Sequence, residues 1–173
     1  MVDDFRGDNV TIDLLTNIAN YRVVILRLHS VLDKYGNLYI FSGEPYTESK
    51  YAMEQLTGDV RKAETFDGKL YFAINIVPLG AKKQDSLKDS TVILMGCNGT
   101  GDSVGIRKLH ERGVKTYIAW TGYVDLSHSD NATLTLVKDL YLERLSPAAA
   151  VEKTIAETHP DPLYQTVYQC FVR

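Results

Sequence analysis

Two side chains in this sequence are of the types that together perform nucleophilic catalysis: the thiol of Cys97 and the imidazole of His29. Each follows an apolar run. Arg22-Val-Val-Ile-Leu-Arg-Leu28 leads into His29-Ser30, and Thr91-Val-Ile-Leu-Met95 leads into Gly96-Cys97-Asn98-Gly99-Thr100-Gly101. A cysteine attacks as its thiolate, which a neighbouring imidazole generates by taking the proton. Gly96, Gly99 and Gly101 permit close backbone approach around the thiol, and the amides of such a loop can donate to a developing oxyanion. In this scheme His29 is general base and acid, Cys97 attacks a carbonyl carbon, and the amides of Ser30 and Cys97 form the oxyanion hole. Plainer readings stand beside it. Cysteine is among the most buried residue types, and a histidine after a strand is commonly a hydrogen-bonded loop residue. The glycine loop also admits a phosphate-cradle reading, but it lacks the lysine and hydroxyl of GxxxxGK[ST] and fits GxGxxG poorly.

The elements that must position these residues alternate along the chain, which predicts an α/β fold. Residues 9–19 form a short amphipathic helix with Asn9 as cap, and the runs at 22–28, 91–95 and 115–120 read as central strands covered on both faces. Shorter strands fall at 38–41 and 69–75, with weak helical character from 47 to 56. Val104–Arg112 reads as a helix stopped by Gly113. Residues 127–143 form the clearest helix, capped by Ser127 or Ser129, with an apolar stripe of Leu134, Val137 and Leu140 or Tyr141. Ser146-Pro147 opens another helix, whose stripe includes Val151 and Ile155. A last strand spans 165–171, with Thr166, Tyr168 and Cys170 on one face. Right-handed crossovers make the central strands parallel, and function in such sheets collects beyond the carboxyl ends of the strands. His29 and Cys97 then share one edge if their strands are neighbours.

At 173 residues the chain suits one domain, 1–173, with a substantial core. The net charge of −3 gives no bulk attraction to nucleic acid or anionic membrane. No apolar run approaches the roughly 20 residues that span a bilayer, and the polar, acidic start does not read as a signal peptide, so a cytoplasmic location is expected. Two cysteines make no disulfide framework, and none of His29, His110, His128 and His159 has a closely spaced ligand partner. No metal and no cofactor is expected. His128 lies near the same edge as Cys97 and is a second possible base, or else a helix residue with no partner. Trp120, at a strand end, lines the pocket or is simply buried.

The segments Leu26-Arg-Leu-His-Ser30 and Thr91-Val-Ile-Leu-Met-Gly-Cys-Asn-Gly99 resemble the histidine and cysteine segments of caspase-like (clan CD) cysteine peptidases. Gly113-Val-Lys-Thr-Tyr-Ile-Ala-Trp-Thr-Gly122 is similar to the strand after the nucleophile in clostripain-like and CHAT domains, and Leu145-Ser-Pro-Ala-Ala-Ala-Val151 to their next helix opening. The resemblance spans roughly residues 21–159. It implies a three-layer caspase-like sandwich with a mostly parallel central sheet, and a cysteine endopeptidase acting on a peptide or protein through His29 and Cys97. Ser30 stands where the family usually has glycine. Met95 replaces the acidic residue that several basic-specific members carry two positions before the cysteine, and the caspase Gln-Ala-Cys-x-Gly pattern is absent, so neither basic nor aspartate specificity is implied. Asp125 is a candidate for a specificity pocket, or a solvated residue ahead of a helix. The family sheet normally has two strands before the histidine strand, and here a short helix stands in their place. The resemblance therefore implies a fragment or processed subunit, or another chain or segment that completes the sheet. It equally admits a catalytically inactive caspase-like interaction or signalling module.

Overall fold

The computed structural model describes residues 2–83 and 85–173. In chain order these form α1 (Ile12–Asn17), β1 (Val23–Leu26), β2 (Ser30–Leu32), β3 (Leu38–Pro45), α2 (Ala52–Thr57), β4 (Val60–Glu64), β5 (Leu70–Asn75), β6 (Thr91–Leu94), α3 (Ser103–Glu111), β7 (Thr116–Trp120), α4 (Leu126–Tyr141), α5 (Pro147–Thr158) and β8 (Tyr168–Val172).

The apolar runs build one sheet in the order β1-β6-β7-β8, with β1, β6 and β7 parallel and β8 antiparallel to β7. A second, antiparallel sheet runs β2-β3-β5-β4. Alternation along the strands divides the core. Val24, Leu26, Val92, Leu94, Tyr117 and Ala119 pack with α1, α3 and the second sheet. Ile93, Ile118 and Trp120 face the other way, against α4 and α5.

The helices start where short polar side chains can accept their free amides. Thr11, rather than Asn9, caps α1 by accepting from Leu14 N at 3.0 Å. Asp102 caps α3 through Gly105 N at 2.7 Å, and Ser146 with Pro147 opens α5 as the sequence predicts. Asp125, rather than Ser127 or Ser129, caps α4.

Three further expectations change. The run at 22–28 is not covered on both sides: β1 is an edge strand and Ile25 is 45% exposed. The buried stripe of α4 is Ser129, Ala132, Thr133, Leu136 and Leu140, whereas Leu134 is 72% exposed. The apolar positions of α4 span more than one stripe, and the sheet takes only part of that arc. β2 and β4 have no expected counterpart. β4 is polar on its open side, and β2 is only three residues long, so neither shows a strong apolar period.

Candidate active site

Parallel pairing sets the site. Leu26 lies opposite Leu94 in the β1–β6 register, and His29 and Cys97 each follow three residues later. The two segments leave the sheet together and stay in contact. The hydroxyl of Ser30 donates to the carbonyl of Cys97 at 2.6 Å. A Cβ at Gly96 would lie 2.3 Å from Ser30 Oγ and 2.4 Å from the Leu28 carbonyl, so only glycine admits this approach.

The loop that carries Cys97 is held on its other side by β7 and the turn after it. Asn98, in the left-handed region at φ 56°, donates its amide to Gly122 O at 2.8 Å. Thr100 N reaches Trp120 O at 3.3 Å, and the buried Tyr117 hydroxyl donates to Gly99 O at 2.9 Å. Burial pushes the Tyr117 hydroxyl pKa far up, so it remains a donor. Asp102 closes the loop, accepting from Gly105 N and, at 3.1 Å, from Leu38 N of the second sheet.

Cys97 is half-buried and His29 exposed. His29 sits at the junction of the two sheets. Its carbonyl accepts from Phe41 N at 2.9 Å, and its ring lies edge-on to that of Phe41 with centroids 6.0 Å apart. Among the described residues the thiol and imidazole make no hydrogen bond to each other. Catalytic hydrogen bonds are commonly long before substrate binds.

Two backbone donors are available beside the thiol. His29 O–Phe41 N and Asp33 N–Asn37 O fix the parity of the β2–β3 ladder, which turns the Ser30 amide away from β3. Neither that amide nor the amide of Cys97 has an internal acceptor among the described residues. A cavity of about 150 Å³ adjoins His29, lined by Val10, Arg27, Leu28, Phe41, Gly7 and Gly43.

The remaining candidates lie elsewhere. Trp120 is 1% exposed, its ring stacked on Tyr168 with centroids 4.1 Å apart and its N–H donated to Ser129 Oγ at 3.0 Å. Its indole is buried in the core, one of the two placements that the sequence allows for it. Asp125 is half-buried and engaged as the α4 cap, accepting from His128 N at 3.0 Å. Its own amide donates to the buried Asp161 carboxylate at 2.7 Å. That occupies one carboxylate oxygen of Asp125 in a structural role.

His128 packs 5.5 Å from the Trp120 ring, and its Nε2 is enclosed with no hydrogen-bond partner among the described residues. His110 Nδ1 lies 2.8 Å from Val114 O, and His159 ends α5 at φ 60°. Burial raises the Cys170 thiol to about 11. Among the described residues no group of three or more His, Cys, Asp or Glu could hold a metal.

Sequence reasoning missed the Ser30 hydroxyl and the carboxylates of Asp102 and Asp161, whereas the close approach at Gly96 was legible in its glycine. Asp102 carried a readable signal, as a capping residue three before Gly105. Asp161, between two prolines, did not. Comparison with known proteins returns no match: no family model, no curated protein and no solved structure is significantly similar to this chain.

Proposed function

We propose that this chain is a cysteine endopeptidase of caspase-like layering that hydrolyses peptide bonds through an acyl-enzyme on Cys97. The observation that carries the reading is the matched exit of two parallel strands: His29 and Cys97 each lie three residues past the Leu26–Leu94 pair. The Ser30–Cys97 hydrogen bond and the bare Gly96 contact hold those exits together.

In the proposed reaction His29 takes the Cys97 proton, and the thiolate attacks the scissile carbonyl carbon. The tetrahedral oxyanion accepts from the amides of Ser30 and Cys97, the two donors left without internal acceptors. The His29 imidazolium protonates the leaving amine as the C–N bond breaks, leaving a thioester on Cys97. His29 then deprotonates a water that attacks the thioester. The acid product leaves, and the proton returns to the dyad. The cavity beside His29 offers room for part of a bound peptide.

A second reading, an inactive module of the same fold acting in assembly or signalling, is favoured by one observation. The imidazole rests on Phe41 and makes no bond to the thiol.

Alkylation kinetics separate the two. With iodoacetamide at neutral pH, Cys97 should react faster than free cysteine, and His29→Ala should abolish the excess. Cys170, its thiol raised to about 11 by burial, serves as the slow internal control. Equal labelling of both cysteines at the rate of a model thiol would refute the peptidase reading. A peptide-library cleavage screen would then define the residue before the cut.

A further inference from the structure

Beside β1 the chain leaves a cavity of about 310 Å³. Its floor is apolar: Leu15 and Ile18 of α1 and Val24 and Leu26 of β1 line it, and all four belong to the core. Its mouth is made by exposed residues, among them Asp3, Asp4, Phe5 and Lys83. The N-terminal segment is tied down at the mouth by Tyr21, whose hydroxyl donates to the Asp3 carboxylate at 2.5 Å.

The wall formed by β1 also carries unpaired backbone groups. In the parallel ladder Arg22 O accepts from Thr91 N at 2.8 Å and Leu26 O from Met95 N at 2.9 Å. The peptide groups of residues 22, 24 and 26 therefore turn toward β6, and those of Val23 and Ile25 turn away from it. Val23 and Ile25 both line the cavity. Among the described residues, neither their N–H groups nor their carbonyls have an internal partner. Along such an edge a carbonyl and the amide two residues on point the same way, so an acceptor and a donor stand side by side against apolar space.

We propose that this cavity binds a small, uncharged bicyclic nitrogen heterocycle, its fused rings on Leu15, Ile18 and Val24 and its adjacent donor and acceptor on the Val23 carbonyl and the Ile25 amide. Volume, charge and edge chemistry each narrow the ligand. An apolar cavity of ~150 Å³ admits one benzene ring, so about twice that volume suits two fused rings. At the mouth Asp4 pairs with Arg6, and the Asp3 carboxylate and Lys83 ammonium are opposite in sign, so neither a cation nor an anion is favoured there. A pure hydrocarbon would shut the strand's polar groups off from water without replacing their hydrogen bonds, which is unfavourable. An extended peptide would satisfy them, but Asp3–Phe5 already line this cavity with β1 and leave room for about two rings rather than a strand. Apolar walls with a few converging polar groups are the ordinary make-up of a small-molecule site. Neither His29 nor Cys97 lines the cavity, and the proposal does not rest on the peptidase reading.

A matched pair of probes tests it. 7-Azaindole carries an N–H donor beside a ring-nitrogen acceptor, and indole has the same shape without that acceptor. Titration of the isotope-labelled full chain with each probe, to about 10 mM, is followed by heteronuclear NMR. For a probe of about nine non-hydrogen atoms, 7-azaindole should bind with a dissociation constant of roughly 1 mM or below and shift the Val23 and Ile25 amide resonances. Indole should bind at least tenfold more weakly. Ala19→Phe, at a half-buried position of the cavity wall, should fill the space and abolish binding, with far-UV circular dichroism checking its fold. The probe comparison on the parent chain stands whether or not that variant folds. No saturable shift along β1 refutes the proposal. So does equal affinity for the two probes, or binding that survives in folded Ala19→Phe.

Discussion

Replacing Gly96 by alanine adds one methyl group at the point where the Cys97 loop meets the His29 segment. The backbone there lies outside the left-handed region, so alanine adopts it without strain and the effect isolates contact alone. The new Cβ would sit 2.3 Å from Ser30 Oγ, 2.4 Å from the Leu28 carbonyl and 3.1 Å from Ser30 Cβ. Ordinary contact begins near 3.5 Å, so the segments must separate by about 1 Å. Ser30 can yield only by giving up its bond to the Cys97 carbonyl, worth ~0.5–1.5 kcal/mol. The Leu28 oxygen belongs to the backbone and yields less easily, adding an overpacking cost of about 1–3 kcal/mol. The sum, about 2–4 kcal/mol, lowers Tm by roughly 5–12 °C for a chain of this size. On the proposed peptidase reading, a displacement of ~1 Å between thiol and imidazole should cost on the order of 100-fold in turnover. Differential scanning calorimetry reads the first quantity, and iodoacetamide labelling of Cys97 or peptide hydrolysis reads the second. The Gly96→Ala, Ser30→Gly double variant should recover only part of the loss, since the Leu28 contact persists. A single variant within ~0.5 kcal/mol of the parent and labelling at the parent rate would refute the close-approach argument.

Asp161→Asn should cost about 2–3 kcal/mol, because the buried carboxylate accepts the amides of Asp125, Leu163 and Tyr164 at 2.7, 2.9 and 2.8 Å. Burial alone would raise its pKa, but those amides, helped by His128, pull it below the ordinary 3.8. A depressed carboxyl pKa stabilises the fold above about pH 4 and loses that contribution as the pH falls further, so the melting deficit of the variant should shrink in acid. Lys153→Met should lower the urea unfolding midpoint, because it leaves the buried Asp139 carboxylate without its 2.7 Å partner. The drop should be smaller than for a fully enclosed pair because water reaches the ammonium group of Lys153. Adding Asp139→Leu should restore part of the loss.

Sequence periodicity located the strands that carry His29 and Cys97, because four or five consecutive aliphatic residues permit few other placements. It misplaced β1 within the sheet. Val-Val-Ile-Leu has the same composition whether or not a neighbour lies on its far side, and only the ladder shows that Ile25 faces outward. In α4 the failure was rotational. Leu134, Val137 and Tyr141 repeat at helical spacing as well as Ala132, Leu136 and Leu140 do, so periodicity alone gave no basis for choosing between the stripes. The place of Trp120 at a strand end admitted both a pocket wall and simple burial. Its neighbours Ser129 and Tyr168 come from helix and strand positions many residues away. The Ser30 hydroxyl bond spans 67 positions in sequence, and no local pattern announces such a contact.

The Asp102 carboxylate has a consequence beyond capping. One oxygen holds the first turn of α3, which belongs to the crossover of the parallel sheet, and the other holds the amide that begins β3. Separating the second sheet from the start of α3 would strip this buried carboxylate of one of its two amide donors, a cost of about 1–3 kcal/mol that couples the opening of the two sheets. Hydrogen exchange at the Leu38 and Gly105 amides should then report one shared opening event. That event would release the imidazole-bearing junction and the thiol-bearing loop together.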